Sequence, residues 1–119
     1  MPYVVRLADL PGIVPEGHQK TENRILFEDK EQGFAMWVGD LRGGGGADIH
    51  SHDFPQAFYV IEGEGEVEID GKRWPVSQGT GYYAPAGISH GVTQVGAAGM
   101  KVLVFAFNRG KTLPLGKTF

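Results

Sequence analysis

The 119-residue sequence contains no cysteine. Disulfides, thiolate nucleophiles and thiolate metal ligands are thereby excluded, so any metal must be held by imidazole, carboxylate or amide groups. No uninterrupted apolar run approaches the roughly 20 residues of a membrane-spanning helix. Residues 1–6 lack a basic region followed by an apolar stretch, so no secretion signal is read and cytoplasmic residence is the default expectation. An excess of positive charge is also missing. A net charge of −3 and a pI near 5.7 argue against nucleic acid or an anionic membrane as partner, since both attract a basic face. No stretch shows convincing helical periodicity, and no linker divides the chain.

What is present is turn chemistry and short apolar runs. Nineteen glycines and seven prolines are spread along the chain rather than pooled, which is the pattern of an all-β domain with many turns. The apolar fraction of 41% and charged fraction of 21% are those of a folded globular protein. A single domain over residues 1–119 is expected, with a barrel over about 24–107. The N-terminal lead-in segment and the C-terminal tail around Leu113-Pro114-Leu115 are expected to pack on the barrel or on a partner. Short strands are read at 24–27, 34–41, 49–52, 57–61, 64–69, 73–76, 79–84, 90–95 and 101–107. Asp70-Gly71 is a strong hairpin signal, and residues 43–46 and 96–99 read as a loop and a turn. Eight to ten such strands imply a sandwich or small barrel.

The most informative residues are His50 and His52, with Gln56 four positions further on and His90 downstream. On a strand, residues i and i+2 leave the same face, so the first two imidazoles can aim at one point. Taken alone, these histidines could equally be surface or core residues in turns. Their setting favours a metal ion. Gly44, His50, His52, Gln56 and Gly63 form one spaced block; Gly79, Pro85, Gly87, His90 and Gln94 form a second.

Together the two blocks closely resemble the signature motifs of the cupin superfamily, and the resemblance covers roughly residues 24–107. It implies an all-β cupin barrel or double-stranded jelly roll. It also implies one divalent transition metal (zinc, nickel, iron or manganese) held by His50, His52, Gln56 and His90. Small cupins commonly pair through their sheets, so a homodimer is expected too. Two positions depart from the usual pattern: cupins generally carry glutamate at the position of Gln56 and asparagine at that of Gln94.

The glutamine matters electrostatically. Four uncharged ligands leave a divalent ion with about its full +2 charge, which favours an anionic small-molecule ligand such as a keto acid, an enediolate or a sugar acid. Two enzyme chemistries fit. One is redox-inert, isomerase- or lyase-like, and resembles the three-histidine, one-glutamine cupins that convert unsaturated uronates, although those place an extra residue before the glutamine. The other is an Fe(II)-dependent dioxygenase. A non-catalytic binding or sensing cupin is the third class. Proton transfer needs a further polar group, for which Tyr59, Tyr82 and Asp48 are candidates, with Tyr83, Asp40 and Arg42 behind them.

Other features read more plainly. His18 sits amid Glu16, Gln19 and Lys20 and is expected to be solvated. Gln94 is expected to pair with a turn backbone. Trp37, Trp74, Phe58, Phe105 and Phe107 read as core or interface residues. Glu64, Glu66 and Glu68 read as solvated positions that discourage edge pairing. Residues 43–46 lack the lysine and helix of a phosphate cradle, and Gly116-Lys117-Thr118 lacks the upstream glycine of one.

Overall fold

The computed structural model describes residues 3–108, and the expected packing of the C-terminal tail lies outside them. Its strands are β1 (His18–Asp29), β2 (Phe34–His50), β3 (Gln56–Ile69), β4 (Lys72–Ser77), β5 (Gly81–Ala84) and β6 (His90–Phe107). A short 3-10 turn over Leu7–Asp9 precedes them. All pairings between the strands are antiparallel, in the order β1-β2-β6-β3-β4, with β5 pairing the first residues of β3 (Gln56–Tyr59) on the edge that β4 pairs further along. This is the all-β cupin barrel that the sequence implies.

There are fewer and longer strands than the sequence suggests, and the reason is physical. Residues 43–46, 63–65 and 96–99 are not breaks; they lie inside β2, β3 and β6. The register of β6 shifts against β2 between Leu41 and Ala47, and against β3 between Val60 and Gly65. At these places each long strand bends from one half of the barrel into the other. Bulges and glycines are how a strand turns such a corner. The glycines line up across the sheet because the backbones nearly touch there. A Cβ on Gly43 would sit 2.6 Å from the Ala97 carbonyl oxygen, one on Gly99 2.9 Å from that of Leu41, and one on Gly65 2.5 Å from that of Gln94. The edge strand β1 bends in step, at Lys20, which adopts φ 50°.

Asp70 and Gly71 both have positive φ, 54° and 76°, as a tight two-residue β-hairpin requires. The core contains Trp37, Leu41, Val60, Val67, Val76, Met100, Val102 and Val104. Trp74 and Phe105 do not join it, being 45% and 41% exposed. Phe105 instead stacks on Phe34 at 5.7 Å on the outer face, where Tyr59, Ile61 and Tyr83 are also exposed. The lead-in segment docks on β1: Ile13 bridges Asn23, and Arg24 Nε donates to the Leu10 carbonyl at 3.2 Å. Glu66 and Glu68 are less solvated than expected, because Arg73 reaches both and Thr93 donates to Glu66 at 2.8 Å.

Candidate metal centre

The histidines converge through a bulge and a turn, not along one regular strand. β2 shifts register against β6 between Ala47 and His50, so both of these residues turn inward although they differ in parity. Asp48 consequently faces solvent. Its carboxylate accepts a hydrogen bond from Gln19 Nε2 at 3.0 Å, away from the cluster. His52 lies just beyond β2, and Gln56 opens β3. His90 opens β6 directly opposite His50. The turn that delivers His90 is tied to the first motif, since Gly87 N–H donates to the His52 carbonyl at 2.7 Å.

The imidazole nitrogens of His50, His52 and His90 lie within 4.8 Å of one another. Each ring is held from behind by a backbone carbonyl. His50 Nδ1 donates to Asp48 O at 2.6 Å, His52 Nδ1 to Phe54 O at 2.7 Å and His90 Nδ1 to Ile88 O at 3.0 Å. Such bonds fix the tautomer and leave Nε2 as a bare lone pair. His52 is further clamped by Phe54, stacked on it at 3.9 Å and 6°. Gln56, 1% exposed, puts Oε1 3.0 Å from His52 Nε2 and 2.9 Å from His90 Nε2.

With the Nδ1 protons committed to carbonyls, these short contacts bring acceptors together without a proton between them. Burial lowers the pKa of His52 and lowers that of His90 to about 4, with neighbouring histidines adding to both effects. At neutral pH those two rings are uncharged and supply no second proton. His50 Nε2 and Gln56 Nε2 are buried without a hydrogen-bond partner. Buried polar atoms left unpaired are uncommon and call for an explanation. Three bare ring nitrogens and an amide oxygen around one point are a donor set that fits a metal cation.

A cavity of about 50 Å³ opens beside the cluster, room for a handful of water-sized groups. Its walls include Trp37, Phe58, Tyr82, Val102 and Val104, and among the described residues no Asp, Glu, Lys or Arg lines it. Tyr82 stacks on Phe58 at 4.4 Å, and burial pushes its phenol pKa up. Tyr82 therefore keeps its proton at neutral pH and can serve as a hydrogen-bond donor. Tyr59 and Tyr83 are 49% and 55% exposed and do not line the cavity. Neither Asp40 nor Arg42 lines it either. Gln94 is exposed on β6.

One cavity residue is hidden in the sequence. His18 is not simply solvated: it lines the cavity, its ring 6.4 Å from that of His50. Nδ1 donates to the Glu16 carbonyl at 3.0 Å, and burial lowers its pKa. A charged neighbourhood in sequence masks this placement. The signal available was its position at the start of a strand that pairs beside the first motif, His18 opposite Ala47.

Comparison with known proteins agrees with this geometry. A family model described as a cupin domain matches residues 37–106, more than half of the chain. Among curated proteins, the chain is similar to the L-ectoine synthase of Shouchella clausii, 38% identical over 80 residues; the match covers 63% of this chain and 59% of that protein. The chain thus spans about three fifths of the length of that relative. Among solved structures it resembles a predicted oxalate decarboxylase from Thermotoga maritima, with TM-score 0.80 and 20% identity over 87% of this chain and 97% of that one. It also resembles the polyketide cyclase RemF from Streptomyces resistomycificus, with TM-score 0.80 and 22% identity over 100% of this chain and 87% of that one. At such identities the two structures establish a shared fold.

Proposed function

The chain belongs to the cupin domain family, and on that premise we propose that it is a metalloenzyme. One divalent transition metal is held by His50, His52, His90 and Gln56. Its substrate is a small anionic oxygenated metabolite (a keto acid, an enediolate or a sugar acid), and its chemistry is of isomerase or lyase type. The observation that carries this reading is the convergence of Nε2 lone pairs and the Gln56 amide oxygen in a cavity that, among the described residues, no Asp, Glu, Lys or Arg lines. With four neutral ligands, the bound ion supplies an undiminished Lewis acid that attracts an oxygen anion.

The chain's own groups do the rest. The three Nδ1–carbonyl bonds hold the rings in place, so no reorganisation accompanies ligand binding. Trp37, Phe58, Val102 and Val104 exclude water from the substrate's apolar parts. Tyr82, kept protonated by burial, donates a hydrogen bond to developing negative charge. A similar curated protein bears the name of a synthase, which supports an enzymatic reading of the site. The exposed face of Tyr59, Ile61, Tyr83 and Phe105 supports pairing of two copies, which sedimentation velocity measures.

The test is turnover by protein purified without chelator, assayed on a panel of keto acids and unsaturated sugar acids under nitrogen and under air. Equal rates in both atmospheres are expected, with activity and metal lost together in His52→Ala. Stoichiometric iron with turnover that stops under nitrogen would replace this reading with a dioxygenase. Ligand binding without turnover in either gas would replace it with a sensor.

A further inference from the structure

The cavity contains a second polar feature, on a different strand from any ligand of the metal centre. Asn23 of β1 lines it and is 7% exposed. Among the described residues its side-chain amide makes no hydrogen bond, while its backbone N–H and C=O are both satisfied by Ile13 at 2.7 Å. Asparagine is a poor residue for a strand interior, and an apolar side chain of similar size would suit this wall better if packing were its task. The opposing β2 position is Gly39. A Cβ there would meet Asn23 Oδ1 at 3.1 Å, so the glycine leaves room for the amide to lie along the cavity. His18, five positions earlier on β1, lines the cavity at the metal end, with its ring 6.4 Å from that of His50.

We propose that Asn23 is a specificity residue that binds the end of the substrate remote from the metal, selecting molecules that carry an amide or hydroxyl group beyond their metal-binding carboxylate. This rests on the metal reading above. An asparagine amide offers both N–H and C=O. The complementary group is therefore one that both donates and accepts. A plain dicarboxylate, which only accepts, fits this wall poorly.

Three carboxylates of matched length probe the wall: pentanoate, with no polar end; 4-oxopentanoate, with a carbonyl; and succinamate, with a carbonyl and an amide N–H. Binding to nickel-loaded full-length protein is measured by calorimetry, and nickel is counted in the same samples. Succinamate should bind roughly threefold to tenfold more tightly than pentanoate, as net hydrogen bonds allow, with 4-oxopentanoate between them. Asn23→Leu should bring all three together while nickel content stays unchanged. Asn23→Asp keeps the shape but removes the N–H donor, so it should abolish the advantage of 4-oxopentanoate even if the leucine variant folds poorly. Equal binding of the three by the unaltered nickel-loaded protein, or a preference that survives both substitutions, overturns the proposal and leaves the metal reading standing. Failure of nickel to load overturns the metal reading, and the proposal falls with it.

Discussion

Replacing Gln56 by leucine should stabilise the metal-free protein, the opposite of what removing a well-packed core residue does. Gln56 is 1% exposed, its Nε2 is unpaired, and its Oε1 faces two ring nitrogens whose protons are elsewhere. An unsatisfied buried polar group costs about 1–3 kcal/mol, and leucine is close to glutamine in size. Discounting for relaxation, a gain of about 1–2 kcal/mol is expected. At an unfolding entropy of about 2.1 cal/mol/K per residue, a chain of 119 residues shifts by about 4 °C per kcal/mol, so Tm should rise by roughly 4–8 °C. The assay is thermal unfolding by circular dichroism, in chelator and in excess zinc or nickel. In chelator Gln56→Leu should melt above the unaltered protein; with metal the order should narrow or reverse, because the variant lacks one ligand. A variant that melts lower in chelator would mean that the amide donates its N–H groups to His52 and His90. In that case the clustered-acceptor argument is wrong.

The metal-free protein should lose stability as acid is added. An unfolded histidine takes up a proton near pH 6.5, whereas folded His90 resists until about 4. Between those values the unfolded state binds more protons, so stability falls with decreasing pH and levels off below about 4. His18 and His52, whose pKa values are also lowered, act in the same direction. Chelator-treated protein whose urea midpoint stayed flat from pH 7 to pH 5 would contradict this. Two glycines with positive φ should separate conformational strain from steric conflict. At Gly71 (φ 76°) nothing lies within 4 Å of an added Cβ, so Gly71→Ala should cost only the left-handed penalty of about 1–2 kcal/mol. At Gly63 (φ 85°) a Cβ would run into the Gly99 carbonyl oxygen, adding the roughly 1–3 kcal/mol of overpacking. Equal urea midpoints for the two variants would refute the corner packing described for β3 and β6.

Local chemistry was legible in the sequence, and long-range register was not. The Asp70-Gly71 turn announces itself because its residue types match the backbone angles it adopts. The two histidine blocks announce the barrel and the cluster because their spacing is fixed by the elements that carry them. The glycines of residues 43–46 and 96–99 read as loops because glycine usually ends a strand. Here Gly43, Gly45, Gly46, Gly96 and Gly99 let another strand's backbone approach within van der Waals contact, a fact that depends on partners dozens of residues away. Asp48, two residues before His50, would share its face on a regular strand, but the register shifts between Ala47 and His50, and nothing local encodes that shift. His18 looked solvated for the same reason: its polar sequence neighbours say nothing of the cavity that β1 covers. Tyr82 and Tyr83, adjacent on β5, point opposite ways, one lining the cavity and one exposed, and only the structure tells which.

The most direct measurement is the metal content of protein purified without chelator and equilibrated with zinc or nickel, combined with X-ray absorption at the metal edge. One ion per chain is expected, with multiple scattering from three imidazole rings and a further oxygen donor, and His90→Ala should lose the ion. Trace metal only, or an absorption spectrum without imidazole scattering, would contradict the shared cation on which the functional reading depends.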